Sequence, residues 1–362
     1  MNKLEVARNT INSIDEKMAK LFSERMQAVK VVSEYKKENG LPVFDASREQ
    51  AVIEKNANYI EDEEIRSYYV SFIKNNIELS KQYQHKILEG QKVAYSGVEG
   101  AFANIAAKRV FPDGLISSYS DFNEAYNSVV NGECDCAVLP IENSFAGEVG
   151  QVMDLMFNGS LYINGVYGLK ISQNLIGIDG ASIKDIKTVI SHPQALSQCG
   201  EYIKKNNFVK QEETNTAIAA QKVSELNDKS VAAIASFETA ELYKLNVIDH
   251  DINESDGNTT KFAVFSRVQN TNVNKNSNRF LLLFTVKHEA GALAKAVNVI
   301  GKYGFNMSAL RSRPMKELAW QYYFYVEAEG DETSIEGKKM LEELSLHCDK
   351  LKVVGHFSLE NI

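Results

Sequence analysis

Along the first stretch of the chain, apolar residues return every three or four positions. Leu4, Ala7, Ile11, Ile14, Met18, Leu21, Ala28, Val32 and Tyr35 form one seam, with Arg25 in the place that interrupts it. This heptad spacing predicts a long helix with a coiled-coil face. Asn39-Gly40 and then Pro42 carry the usual signals for its end. Two further helical windows, 45–59 and 63–88, complete an all-α segment over 3–88. Three helices of which the first is far the longest bury little surface alone, so the seam predicts a partner chain.

At Lys92 the period changes. Short apolar or β-branched runs at 92–95, 136–139, 168–171, 188–190, 231–234 and 262–265 alternate with helical windows at 101–111, 121–131, 193–206 and 216–226. Such alternation predicts an α/β segment with a mainly parallel sheet, long enough for two lobes and a cleft. The stretch 268–278 is rich in Asn, Thr, Ser and Lys and reads as a polar linker. Beyond it, strands at 280–286, 307–311, 320–327 and 351–357 and helices at 292–303 and 333–346 follow a βαββαβ order, which suggests a ferredoxin-like module.

Length agrees with this division, since 362 residues exceed what one hydrophobic core usually serves. A formal charge of −8 argues against general nucleic-acid binding. No apolar run reaches the roughly 18 residues of a membrane span, and positions 1–10 read as charged helix, not as an export signal. Cys134, Cys136, Cys199 and Cys348 form no disulfide framework, and Cys134-Asp-Cys136 lacks zinc spacing, so no metal is expected. A reducing cytoplasm is the expected compartment.

The chemistry of the helical segment centres on Arg25, because an unpaired charge on an apolar seam costs several kcal/mol and calls for an anion. Lys36 follows on nearly the same face, roughly 16 Å along the axis, whereas Arg8 lies roughly 25 Å from Arg25 and points off that face. If Arg8 and Arg25 serve one site, Arg8 comes from a second subunit. Asp45, Arg48 and Glu49 cluster where a helix starts, where acids also serve as plain caps; Ser80 and Gln84 share one helical face. Together with the run Ser13-Ile-Asp-Glu-Lys17, Glu24 and Pro42-Val43, these residues resemble the all-helical chorismate mutase family. The resemblance implies that Arg8, Arg25 and Arg48 hold substrate carboxylates or orient neighbours that do. It implies further that Lys36 and Gln84 face the ether oxygen, that Glu49 and the Asp45 backbone meet the ring hydroxyl, and that Ser80 lies near a carboxylate. An intramolecular rearrangement needs a compact substrate pose and positive charge at the ether oxygen, which suits such residues.

In the α/β segment, the run 96–103 lacks the endings of a P-loop or a dinucleotide fingerprint. Three runs are more specific: Val138-Leu-Pro-Ile-Glu-Asn-Ser144, Ser191-His-Pro-Gln-Ala195 and Asn258-Thr-Thr-Lys-Phe262. Each flanks an expected strand, where α/β folds place ligand contacts. In this order they resemble prephenate dehydratase over nearly all of 92–268. The resemblance implies that Thr260 assists departure of the ring hydroxyl as carbon dioxide leaves, with Asn143, Ser144, Ser191, His192 and Thr216 as cleft contacts. Lys261 stands where the family usually has arginine, losing bidentate geometry, and Ala101 and Ala103 stand where hydroxyl residues are common.

Gly291-Ala-Leu-Ala294 opens a helix whose amides can receive a carboxylate, and Arg311-Ser-Arg-Pro314 ends a strand. These runs resemble the ACT regulatory domain, in which phenylalanine binds between paired domains. The resemblance implies effector contacts at Gly291, Ala292, Leu293, Arg311, Ser312 and Arg313, with Arg311 in place of the family's glutamate.

The fold class expected is therefore multidomain: an all-α three-helix mutase domain in an intertwined dimer (1–90), a two-lobed α/β dehydratase domain (91–268) and a ferredoxin-like ACT domain (279–362). The activity implied is conversion of chorismate to prephenate and then to phenylpyruvate, with L-phenylalanine as effector. A homodimer or homotetramer is expected, and no cofactor, nucleic acid or membrane. Two other readings stay open: a monofunctional dehydratase whose helices only dimerise, and an amino-acid sensor without catalysis.

Overall fold

The computed structural model describes residues 2–255, 257–269, 279–315 and 321–362. Most of the linker expected at 268–278, and Trp320 at the head of an expected strand, lie outside the described residues. The chain divides into two compact units, Met1–Lys92 and Val93–Ile362.

The first unit holds α1 (Lys3–Glu38), α2 (Ala46–Ala57) and α3 (Glu63–Glu89). Each starts on a side chain that meets orphan amides. Asn2 and Glu5 form a reciprocal capping box on α1, Asp45 accepts from the Arg48 amide, and Asp62 accepts from those of Glu64 and Ile65. Lys36 and Lys37 in the last turn of α1 complement its dipole. α3 packs on α1 and on α2. The heptad seam stays largely uncovered in the single chain, with Leu4, Ile11, Leu21 and Tyr35 all more than half exposed.

The second unit opens with β1 (Lys92–Ser96), α4 (Phe102–Val110), β2 (Leu115–Tyr119), α5 (Phe122–Val130), β3 (Cys136–Asn143), β4 (Gly147–Glu148), α6 (Gly150–Asn158) and β5 (Tyr162–Lys170). A second lobe follows with β6 (Asn174–Gly177), β7 (Thr188–Ser191), α7 (Pro193–Gln198), α8 (Gly200–Lys205), β8 (Val209–Glu212), α9 (Thr216–Leu226), β9 (Val231–Ala235), α10 (Phe237–Leu242) and β10 (Asn246–Asp249). β11 (Thr259–Ser266) returns to the first lobe. The last elements are β12 (Arg279–Thr285), α11 (Ala292–Lys302), β13 (Asn306–Pro314), β14 (Tyr322–Glu329), α12 (Ile335–Ser345), β15 (Lys350–Phe357) and β16 (Leu359–Asn361).

The sheets are mixed, which corrects the expectation of a mainly parallel arrangement. β3 pairs parallel with β1 but antiparallel with β11, and β11 runs antiparallel to β5 as well. In the second lobe β7 is parallel to β8 and β9, while β6 is antiparallel to β9 and β10. The cause is that β6 and β11 follow the crossings between lobes, so no right-handed helical crossover dictates their direction.

The helix expected at 193–206 is broken. Gly200 opens a new helix after Cys199, the Glu254 carboxylate accepts from the Glu201 amide at 2.8 Å, and the Glu254 amide donates to the Gln198 carbonyl at 2.9 Å. A distant loop thus takes over the backbone groups that a continuous helix would satisfy itself.

β12 to β15 form an antiparallel run in the order β13-β14-β12-β15, with Phe280, Leu282 and Phe284 of β12 buried against α11 and α12. Leu281 and Leu283, on the opposite face by strand alternation, bury with Tyr323 and Tyr325 against Met153, Met156 and Phe157 of α6. The Phe157 and Tyr323 rings stack at 4.3 Å. This second face joins the C-terminal strands to the first lobe in one core.

Candidate functional site

In the first unit, α1, α2 and α3 enclose a pocket of about 190 Å³. Arg25 reaches it across the seam, and its guanidinium donates to the Ser80 hydroxyl and, at 3.4 Å, to the Asn76 carbonyl. Burial lowers the Arg25 pKa from its ordinary value, but a guanidinium stays charged throughout the physiological range. Lys36 enters from the last turn of α1 and donates to the Val43 carbonyl at 2.7 Å. Arg48 lines the same wall. The two acids there are occupied: Glu49 pairs with Lys81 at 3.1 Å, and Asp45 accepts from the Arg48 amide and the Ser47 hydroxyl, which holds its carboxyl below the usual range. Gln84 is buried, and its side-chain oxygen has no hydrogen-bond partner among the described residues. A pocket lined by Arg25, Lys36 and Arg48, with one carboxylate (Glu49) already paired to Lys81 and a buried amide facing it, suits a small dianion.

The second unit holds a cavity of about 270 Å³ between its two lobes. Among the described residues its walls carry no Lys, Arg, Asp or Glu, yet three helices start there. α4 begins at Ala101–Phe102 with no side-chain cap, α7 follows His192, and α9 follows Asn215. Helix N-termini present N–H groups and partial positive charge. α7 opens on Pro193, which has no N–H, and His192 and Asn215 cap amides of α7 and α9, so the uncapped start of α4 is the one that suits a carboxylate without a formal cation. Thr260 lies at the wall on β11, directly across the ladder from Asn143 on β3. The Asn143 amide nitrogen donates to the Thr260 hydroxyl at 2.9 Å and to the Asn258 side chain at 2.9 Å.

Two matches with known families fall on these two pockets: residues 7–85 with chorismate mutase type II, and residues 93–270 with prephenate dehydratase. Over its whole length the chain is 30% identical to the bifunctional chorismate mutase/prephenate dehydratase of Enterobacter agglomerans, of which it covers 97%. It belongs to the bifunctional chorismate mutase/prephenate dehydratase family. Among solved structures, the prephenate dehydratase from Arthrobacter aurescens in complex with L-Phe is 25% identical over 74% of this chain and 89% of that one, with a TM-score of 0.69. A second, titled GqqA, a novel type of quorum quenching acylases, is 28% identical over 74% of this chain and 98% of that one, also with a TM-score of 0.69. The chain is an enzyme with both a mutase and a dehydratase domain.

Within this family member, Arg25, Lys36, Asp45, Arg48, Glu49, Ser80 and Gln84 come together in the first pocket. Arg8 is exposed on α1 and is not among that pocket's lining residues. Lys81 was not foreseen; its place beside Ser80 carried no signal until α2 brought Glu49 to it. Around the second cavity, Asn143, His192, Thr216 and Thr260 line the wall, as do Ala101 and Ala103. Ser144 and Ser191 do not. The Ser144 hydroxyl donates to the Gly257 carbonyl and accepts from the Thr259 amide, and Ser191, fully buried, donates to the Ile234 carbonyl. Both brace backbone near the cavity. Gln194 lines it from within the run 191–195, and sequence reasoning missed Gln173, Gln198 and Thr214, scattered polar residues that only the closure of two lobes assembles. The Gln173 side-chain oxygen is buried with no hydrogen-bond partner among the described residues.

Near the C-terminal end, a pocket of about 340 Å³ is lined by Val286–Ala290, Leu293, Gln321, Tyr322 and Phe324. Gly291 stands at its edge as the N-cap of α11 at φ +83°, a left-handed conformation that glycine takes without strain. Ala292, Arg311, Ser312 and Arg313 are not among its lining residues in the single chain. Arg311 pairs with Glu142 on β3, and Arg313 pairs with Asp154 of α6 at 3.3 Å and donates to the Tyr323 hydroxyl at 3.1 Å. The alternation of β13 turns both toward the first lobe and leaves Ser312 exposed on the other face.

Proposed function

We propose that domains spanning 1–90, 91–268 and 279–362 act in series: the first rearranges chorismate to prephenate, the second turns prephenate into phenylpyruvate, and the third, a ferredoxin-like ACT domain, lets L-phenylalanine restrain the flux. The observation that carries this reading is that each matched family falls on its own built pocket, one rich in cations and one ringed by helix N-termini.

In the mutase pocket Arg25, with Ser80 behind it, and Arg48 hold the substrate's carboxylates. Lys36 and Gln84 meet the ether oxygen as it gains negative charge, so that preorganised charge lowers the barrier without covalent chemistry. Glu49 and the Asp45 backbone meet the ring hydroxyl. The exposed seam of α1 is covered by a second copy of the chain, which supplies Arg8, in a homodimer or a tetramer built from it.

In the dehydratase cavity the uncapped start of α4 receives a carboxylate of prephenate, with Ala101 leaving the α4 amides to the ligand. The bond to the ring carboxylate breaks, its electron pair enters the ring, and the ring hydroxyl departs at the opposite carbon. Thr260 donates to that leaving oxygen. Its own oxygen already accepts from Asn143, so its proton is directed into the cavity. Aromatisation supplies the driving force, and the hydroxyl needs only correct placement.

Phenylalanine fits the C-terminal pocket, with its ring against Leu293, Tyr322 and Phe324 and its carboxylate at the start of α11. With Arg311 turned away, Glu289 at the rim is the carboxylate for the ammonium group. The free cysteines, three of four buried, and the absence among described residues of a helix long and apolar enough to cross a membrane support a cytoplasmic enzyme. Supplying chorismate to the purified protein and following prephenate and phenylpyruvate separately, with and without phenylalanine, tests the scheme. Accumulation of prephenate alone removes the second activity, and unchanged chorismate removes the first.

A further inference from the structure

One rung behind Asn143 and Thr260 in the β3–β11 ladder stand Glu142 and Lys261. Strand alternation turns them away from the cavity. There Glu142 is held by two cations, Lys261 at 2.9 Å from one carboxylate oxygen and Arg311 on the other. Arg311 also lies 3.7 Å from Glu148 on β4 and has its guanidinium 5.3 Å from the Tyr325 ring centre. Lys261 reaches 3.9 Å from Glu327 of β14, a carboxylate only 3% exposed that Arg279 of β12 holds at 2.5 Å. The chain of charges runs from the C-terminal strands, through Arg311 and Glu327, to the two residues that precede Asn143 and follow Thr260.

Resting on the dehydratase reading of the cavity, we propose that Glu142 and Lys261 are positioning residues for Thr260, and that Arg311 is the arm by which the C-terminal domain sets that position. On its β3 edge β11 shifts register between Lys261 and Phe262, while its β5 edge stays regular through Thr260, so the Asn143–Thr260 rung ends the regular pairing on the side that carries Asn143. The Glu142 carboxylate, gripped from a neighbouring strand and from another domain, holds that rung. Arg311 and Lys261 are also where this chain departs from the family's usual glutamate and arginine, and they meet on one carboxylate.

The test uses the full chain and assays both activities in each preparation, with mutase turnover reporting intact protein. Glu142→Gln keeps shape and removes charge. It is expected to lower the dehydratase kcat by about tenfold to a hundredfold, the order that a displaced catalytic group produces, with KM for prephenate within about threefold and mutase turnover unchanged. Arg311→Gln is expected to lower kcat by a smaller factor and to shift the phenylalanine concentration that gives half inhibition, and Arg311→Lys is expected to restore part of both. A rise in KM without loss of kcat, or equal loss of both activities, overturns the proposal, as does an Arg311→Lys variant no better than Arg311→Gln. A wild-type enzyme that makes no phenylpyruvate from prephenate overturns the dehydratase reading itself and this inference with it.

Discussion

The Asn143 side chain has only one orientation open to it beside Thr260. Its oxygen accepts from the backbone amides of Phe145 and Ala146, at 3.0 and 2.9 Å, so its nitrogen must face the Thr260 hydroxyl. A hydroxyl that accepts from an amide keeps its own proton for another acceptor. Asn143 therefore cannot be the acceptor of the Thr260 proton, and the turn after β3 decides the direction of Asn143.

The first prediction follows from that polarity. Asn143→Asp replaces the donor with an acceptor, so the Thr260 proton turns away from the cavity. Dehydratase kcat should fall about a hundredfold, comparable to loss of an oriented donor, with mutase turnover intact. Thr260→Ser should keep more activity than Thr260→Val, which preserves shape without the hydroxyl. If valine serves as well as serine, Thr260 takes no part in the chemistry.

A second prediction concerns Arg25. Its guanidinium satisfies Ser80 and faces the helical pocket, so Arg25→Ala should cut chorismate turnover by about a hundredfold to a thousandfold. Prephenate turnover by the same preparation should be unchanged. Arg25→Lys should recover little, because one ammonium cannot span both the Ser80 hydroxyl and a ligand carboxylate with fork geometry.

The exposed seam of α1 leads to a third. Leu21→Asp puts a charge where, in the proposed dimer, a partner helix lies, and desolvating it would cost several kcal/mol. Sedimentation should show a smaller species, and mutase activity should fall with it, since Arg8 then has no second pocket to enter. An unchanged assembly would exclude α1 as the subunit contact.

The fourth is a pH dependence. Burial lowers the His192 pKa below the usual 6.5, partly countered by Glu212, and its Nδ1 accepts from the Gln194 amide at 3.2 Å. The neutral ring is thus the native form. Above pH 6.5 the folded and unfolded states are both neutral there and this contribution to stability is complete. As pH falls below 6.5 the unfolded state takes up a proton first, so stability declines until pH has passed through the lower, native pKa. Melting temperatures measured from about pH 7.5 to about pH 5 should fall more steeply for the wild type than for His192→Asn, which retains a capping acceptor. Parallel curves would mean that another group carries the acid limb.

How far local pattern reaches is clear from α1 and β11. The heptad from Leu4 to Tyr35, the break at Asn39-Gly40 and the Asp45 cap are each set within a few residues, and the helices appear where those signals lie. Arg25 was legible for the same reason, since a charge on an apolar seam is a local contradiction. Thr260 was legible through its motif. By contrast β8, an exposed edge strand of Val-Lys-Gln-Glu, has no hydrophobic alternation to announce it, and the break at Gly200 depends on Glu254, some fifty residues away.

What the order of residues settled alone was the alternation of elements, their capping and the chemical kinds of side chain gathered in each segment, because these rest on interactions spanning one or two turns. Strand direction, the assembly of Gln173, Gln194 and Thr214 around one cavity, and the turning of Arg311 toward Glu142 were settled only by the tertiary structure. A side chain's partner depends on which distant strand lies beside it, and a one-residue change in register exchanges the two faces of a sheet. Arg311 shows the consequence: its motif places it on a strand, but only the packing of that strand against β3 decides which carboxylate it holds.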